Sequence, residues 1–184
     1  MDSAIFSSII GAISAIAGGA LVALTQLKSA KESQQAQLLL EEIKSRAATI
    51  EKRKATIINS YMVIHKTLAK INREFSITSL DIMWRAGLSE SEYDQKYLAS
   101  CESLDEARAL TDLHFPEVSE LVEKIYGEMN IFWGHFKEIR SLTEAKEPHT
   151  RKQKFLDEAI SVSMKIADYT RGAKGKLNSL ATRC

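Results

Sequence analysis

Apolar and charged positions divide the chain into an uncharged stretch and a longer patterned body. Residues 4–27 contain no charged residue, whereas the rest of the chain mixes apolar and charged positions throughout. A bilayer core requires about 20 mostly apolar helical residues, so residues 4–27 are long enough to span it. No Lys or Arg precedes them, as a secretory signal peptide would require. The pattern predicts a short tail and a transmembrane helix within residues 1–27, with a buried helix of a globular domain as the alternative.

The charges that follow this stretch predict its orientation. Residues 28–73 carry ten Lys and Arg against four Asp and Glu. Because positive segments stay on the cytoplasmic side, we expect residues 28–184 to form a cytoplasmic domain of a single-pass protein in the bacterial inner membrane. The two cysteines, Cys101 and Cys184, are too few for a disulfide framework, which suits a reducing compartment.

Small and hydroxyl residues follow two lines along the predicted transmembrane helix. One line has a small residue at every fourth position: Ser7, Gly11, Ala15, Gly19 and Ala23. The other is partly polar: Ser3, Ser7, Gly11, Ser14, Gly18 and Thr25. Small residues let helices approach closely in a membrane, and hydroxyls suit a weakly selective aqueous pore. The two lines therefore predict either helix packing, as in a dimer or plain anchor, or the pore lining of a ring-like homo-oligomer, with an octamer as one candidate size.

Heptad spacing of apolar residues follows the uncharged stretch. No Gly or Pro occurs between Ala20 and Ala86, and only Lys54 clearly interrupts the apolar seam. The seam consists of Ala36, Leu39, Ile43, Ala47, Ile50, Ile57, Tyr61, Ile64, Leu68, Ile71 and Phe75. This spacing predicts that the transmembrane helix continues to about Phe75 as a long helix, whose apolar side packs in a bundle or a coiled coil.

Capping signals place the next two helices. Thr78 followed by Asp81 predicts the start of a short helix over 80–86, which Gly87 ends. Ser89 with Glu92 forms a capping-box pattern, which opens a helix to about residue 113.

Two prolines delimit the remaining helices. Pro116 is typical of a first helical turn, and Pro148 ends the helix that follows. In the first of these helices the predicted buried positions are Val118, Val122, Ile125, Met129, Phe132, Phe136 and Ile139. In the second they are Phe155, Ala159, Val162, Ile166, Tyr169, Ala173, Leu177 and Leu180. The predicted fold is all-α: one N-terminal transmembrane helix continuing into the long helix of a cytoplasmic antiparallel helical bundle.

Charge is unevenly distributed over this bundle. Residues 74–147 carry 7 Lys and Arg against 16 Asp and Glu, and residues 148–184 carry 8 against 3. One interpretation is charge complementarity between neighbouring helices or subunits. The other is direct RNA binding by the C-terminal cations, although they lack a clear aromatic platform for stacking bases. These cations are Arg151, Lys152, Lys154, Arg171, Lys174 and Lys176.

Catalytic motifs are sparse. The four histidines show no metal-ligand spacing, and no Gly-rich phosphate loop follows the first helix, so no metal and no cofactor is predicted. Arg108 and His114 are separated by five residues, which resembles the R-x4-6-H signature of the HEPN superfamily of helical-bundle RNases. The resemblance implies His114 as general acid and base and Arg108 as stabiliser of the phosphate charge. Ala109 departs from the family pattern, in which a polar residue usually follows the arginine. The alternative to a catalytic role is a structural ion pair between Arg108 and Asp105 or Asp112.

The architecture as a whole is similar to the small membrane accessory proteins of type VI-B CRISPR loci. The shared features are a short membrane helix, a divergent HEPN-like bundle and the Arg108–His114 pair. The resemblance implies a homo-oligomeric pore in the lipid bilayer that enhances antiviral defence together with an RNA-guided CRISPR RNase. The resemblance also implies that the nuclease activity of this chain itself is vestigial or absent. Whether the chain is an enzyme therefore stays open, and a non-enzyme is favoured. The alternatives are a membrane-tethered HEPN-type RNase and a single-pass coiled-coil scaffold that recruits a cytoplasmic partner.

Overall fold

The chain folds as helices joined by short turns. The computed structural model describes the backbone of residues 2–181 and the side chains of residue 26 and residues 28–181. No strand occurs in this part of the chain, which confirms the predicted all-α class. The five helices are α1 (Asp2–Glu74), α2 (Ile77–Arg85), α3 (Glu90–His114), α4 (Pro116–Glu144) and α5 (His149–Ala181).

The described residues do not support the predicted transmembrane helix, so this part of the predicted fold class is wrong. Among the residues with described side chains, none of the helices is both long and apolar enough to cross a bilayer. The physical reason is charge: residues 28–73 of α1 carry fourteen charged side chains, α2 has only nine residues, and α3 to α5 are amphipathic. In the uncharged stretch 4–27, the only side chain that the structure describes is that of Gln26. Over the residues with described side chains, the fold is therefore an all-α helical bundle, and none of them forms a membrane span.

The chain divides into two compact units, Met1–Arg53 and Lys54–Cys184. The second unit is a bundle of four long helical segments: residues 54–74 of α1, then α3, α4 and α5. The predicted domain boundary after residue 27 stays a prediction.

Side-chain contacts show that neighbouring helices of the bundle are antiparallel. Between α1 and α3, Ser100 donates to Glu74 and Lys70 donates to Ser103, so the two helices run in opposite directions. The same relation holds between α1 and α5, where Tyr61 donates to Asn178 and Thr170 donates to Asn72. Corresponding pairs join α3 to α4 and α4 to α5. The predicted helical bundle is confirmed.

The core of the bundle is a single apolar cluster to which all five helices contribute. All seven apolar positions predicted for α4 are buried. In α5 five of the eight predicted positions are buried, and Phe155, Tyr169 and Leu180 pack partly buried against the same cluster. In α1 the seam is buried only at its end, from Ile64 to Phe75. The 3.6-residue period therefore identified the core of α4 and α5 correctly and overestimated that of α1.

Local signals set the turns between the helices. The capping box is confirmed, since Ser89 Oγ accepts from Glu92 N and Glu92 Oε2 accepts from Ser89 N. The predicted cap of the short helix is corrected: Ser76, two residues before Thr78, accepts from Ser79 N and starts α2. Gly87 has a φ of 61°, a left-handed conformation that glycine adopts without a steric cost, so it ends α2 as expected.

Candidate functional site

The predicted pore-lining or helix-packing residues cannot be placed. They lie outside the residues whose side chains the structure describes: Ser3, Ser7, Gly11, Ser14, Ala15, Gly18, Gly19 and Thr25.

Arg108, the first residue of the HEPN-like pair, is an ion-pair clamp between α3 and α4. Its Nε and Nη2 donate to the two carboxylate oxygens of Glu123 at 2.6 and 2.9 Å, and its Nη1 donates to Asp105 at 3.0 Å. The guanidinium also lies over the ring of Tyr126, with its carbon 4.7 Å from the ring centroid. The paired carboxylate of Glu123 raises the pKa of Arg108. A phosphate group at Arg108 would have to displace two carboxylates.

The sequence predicted part of this clamp. The structural alternative named Asp105, and that pair is present. Glu123, which makes the closest contact, and Tyr126 were not predicted. The pairing of Arg108 with Glu123 has a signal in the sequence. The antiparallel helices α3 and α4 are joined at Phe115 and Pro116, and residues 108 and 123 are equally far from that turn. Charged residues at mirrored positions of a helical hairpin lie opposite each other, so such pairs can be sought from sequence.

His114, the second residue of the HEPN-like pair, is the last residue of α3. It is half-buried, and its ring makes an edge contact with the neighbouring Phe115, with the two centroids 6.4 Å apart. Phe115 is itself buried and is the single residue that links α3 to α4. Arg108 lies nearly two turns earlier on α3, and its guanidinium donors are directed to Asp105 and Glu123. The catalytic role of this pair stays a prediction.

The C-terminal cations proposed as an RNA-binding set are distributed along α5. Three of the six form ion pairs one helical turn away: Arg151 with Glu147, Lys154 with Glu158, and Arg171 with Asp168. Exposed pairs of this kind are weak and leave the cations accessible. In the described part of the chain no group of three or more His, Cys, Asp or Glu is arranged to bind a metal ion.

Several large apolar side chains of α1 are exposed within residues 38–50. These leucines and isoleucines have 53–63% of their surface exposed: Leu38, Leu39, Leu40, Ile43 and Ile50. Exposed apolar surface of this extent commonly marks an interaction site. We therefore treat residues 36–53 of α1, called the α1 seam segment below, as the candidate functional site.

The isoleucines of the predicted heptad seam form a strict repeat. Ile43, Ile50, Ile57, Ile64 and Ile71 follow one another at intervals of seven residues. A second line lies three residues before each of them: Leu40, Ala47, Lys54, Tyr61 and Leu68. These two lines correspond to positions d and a of a heptad repeat, the arrangement that packs helices side by side.

No family model, no curated protein and no solved structure matches the chain. The resemblance to HEPN domains and to the CRISPR accessory proteins stays a prediction, as do the inner-membrane location and the functional link to an RNA-guided RNase.

Proposed function

We propose that the protein is a non-catalytic, self-associating helical scaffold. The α1 seam segment of each copy forms a coiled coil with the same segment of other copies, and this brings several helical bundles together. One observation carries the proposal. The isoleucines that recur every seven residues along α1 differ in exposure. Ile43 and Ile50 are 63% and 56% exposed, whereas Ile64 and Ile71 are fully buried.

The exposed half of the repeat has the composition of a coiled-coil core. The exposed d positions are Ile43 and Ile50, and the exposed a positions are Leu40 and Ala47. Isoleucine at d combined with leucine at a favours assemblies of more than two helices. Lys54 occupies an a position, where a polar residue costs stability and specifies register. These features support the homo-oligomer predicted from the sequence, with more than two copies.

Charges beside the seam are complementary between copies. In a parallel coiled coil, position g of one helix faces position e of the next helix five residues further along. Arg46 occupies g and Glu51 occupies e, so each interface between two copies sets one against the other. In the single chain Arg46 is bound only to Glu42 on its own helix, an exposed pair of little energy that assembly can replace. A copy of the same chain is therefore a chemically suitable partner.

The membrane-pore function is not part of this proposal, because its transmembrane helix is not supported by the described residues. An RNase function is not favoured by any contact at Arg108 or His114. The proposal keeps the coiled-coil scaffold of the sequence predictions and replaces its cytoplasmic partner with further copies of the chain.

The proposal is tested with Ile43→Asp/Ile50→Asp in the full-length chain. Ser45→Asp/Ala48→Asp is the matched control, since it adds the same charge to the other side of the same helix. Light scattering coupled to gel filtration should show wild-type protein and control as a discrete oligomer of more than two copies. The seam variant should be monomeric with unchanged helix content. A wild-type monomer at every concentration, or a seam variant that assembles normally, would contradict the proposal.

A charge exchange tests the partner separately. Arg46→Glu should weaken assembly, since it places two carboxylates opposite each other at each interface. Arg46→Glu combined with Glu51→Arg should restore it. If the double variant assembles no better than the single one, the parallel pairing of copies is wrong even if the segment associates.

A further inference from the structure

A cavity at one end of the bundle is separate from the α1 seam segment. It has a volume of about 290 Å³ and lies between α2, the C-terminal half of α4 and the first turns of α5. About ten water molecules would fill such a volume, and it is close to the lower limit for small-molecule sites.

The interior of the cavity is apolar. Leu80, Phe136 and Ile139 form its buried inner part, with 7%, 1% and 4% of their surface exposed. Towards the opening lie Trp84 and Ile77 of α2, which are 41% and 47% exposed. The cavity therefore presents apolar surface that remains in contact with water, and an apolar ligand would remove it from water.

The opening of the cavity is cationic on the α5 side. His149 and Lys152 line it, both in the first turn of α5, a turn that contains no acidic residue. Within the described part of the chain, Lys152 has no carboxylate within ion-pair distance. The one acidic side chain that lines the cavity is Asp81, which pairs with Arg85 at 3.0 Å one helical turn away. An anionic group at the opening would therefore meet an unpaired lysine, while the one lining carboxylate has an arginine partner.

We propose that this cavity binds a small amphiphile with one apolar chain and one anionic head group, of which a medium-chain carboxylate is the simplest example. The apolar chain occupies the space beside Trp84 and Phe136, and the carboxylate accepts hydrogen bonds from Lys152 and His149. A methylene group occupies about as much space as a water molecule, so roughly eight to ten carbons fill the cavity. The site does not depend on self-association of α1.

Trp84 provides the readout, because it lines the cavity and Trp133 is the chain's other tryptophan. Decanoate, well below its micelle concentration and without detergent, should shift the Trp84 emission to shorter wavelength and saturate. Decanol and decyltrimethylammonium have the same chain with a neutral and a cationic head, and both should bind at least tenfold more weakly. Trp84→Phe should remove the signal while calorimetry still records the binding of decanoate.

Lys152→Gln separates the head-group contact from the apolar contact. It should weaken decanoate about tenfold and leave decanol unchanged, and Lys154→Gln, an exposed lysine on the same helix, is the control. Vesicles of an anionic phospholipid should not compete with decanoate, since the cavity holds one short chain. Equal affinity for the three head groups, or decanoate binding that Lys152→Gln does not change, would overturn the proposal. Competition by the vesicles would overturn the assignment to a free amphiphile.

Discussion

The two halves of the isoleucine repeat in α1 have the same sequence pattern and opposite surroundings. Ile43 and Ile50 are more than half exposed, whereas Ile64 and Ile71 have no exposed surface. The buried pair belongs to a bundle in which α3, α4 and α5 supply the opposing side chains. Residues 28–53 belong to the separate unit Met1–Arg53, and all their side chains are exposed. The comparison teaches that a heptad repeat specifies which side of a helix will pack, while its partner comes from elsewhere.

Truncating one isoleucine from each half tests the comparison most strongly. Ile64→Ala should lower the free energy of unfolding of the bundle by about 2–5 kcal/mol, because it leaves a cavity in a close-packed core. Ile43→Ala should change that quantity by less than about 0.5 kcal/mol, since the side chain packs against nothing within one copy. Denaturant unfolding at low protein concentration measures both. Equal losses would show that residues 36–53 are packed within the same chain.

Two arginines extend the comparison to charge. Arg108 binds Glu123 across two helices and Asp105 on its own, whereas Arg46 binds only Glu42 one turn away. We expect Arg108→Ala to destabilise the bundle by about 1 kcal/mol, through lost pairs and lost contact with Tyr126. Arg46→Ala should cost a few tenths of a kcal/mol at most. If ribonuclease activity were present and abolished by Arg108→Gln without loss of stability, the clamp would be catalytic after all.

The capping box of α3 gives the bundle a dependence on pH. Hydrogen bonds from Ser89 lower the pKa of Glu92 below its ordinary value of 4.5. A carboxylate with a lowered pKa contributes stability that is present above the ordinary value and lost as the pH falls through the lowered one. In an NMR titration, Ser89→Ala should return the pKa of Glu92 towards 4.5. The thermal midpoint of that variant should then depend less on acid than that of the wild type.

The smallest expected effect concerns a buried hydroxyl in the bundle core. Tyr93 is 3% exposed, its hydroxyl has no hydrogen-bond partner among the described residues, and burial raises its pKa. Tyr93→Phe removes an unsatisfied polar atom and keeps the ring, which lies 4.4 Å from that of Phe136. We expect stability to stay constant or rise by up to about 1 kcal/mol. A clear loss in calorimetry would mean that the hydroxyl has a partner in solution.

The residues of the candidate site were predictable in part, and their exposure was not. Ile43 and Ile50 were part of the predicted seam, which left open whether they pack in the bundle or in a coiled coil. The Arg108 clamp was predictable only in part, because Asp105 lies on the same helix and Glu123 lies on the next. The cavity at α2 had no sequence signal, since its lining comes from three helices and its volume depends on how they meet.

Periodicity and capping chemistry determined the helices of the bundle, because both act over one or two turns: the core positions of α4, the Ser89–Glu92 box and the left-handed Gly87 follow from the sequence alone. An uncharged stretch is only a necessary condition for a membrane span. Among the residues with described side chains, no helix is both long and apolar enough to be one. Only the tertiary structure decided which half of the isoleucine repeat is covered, since burial depends on residues far away in sequence. The exposed half is what an assembly of copies would cover.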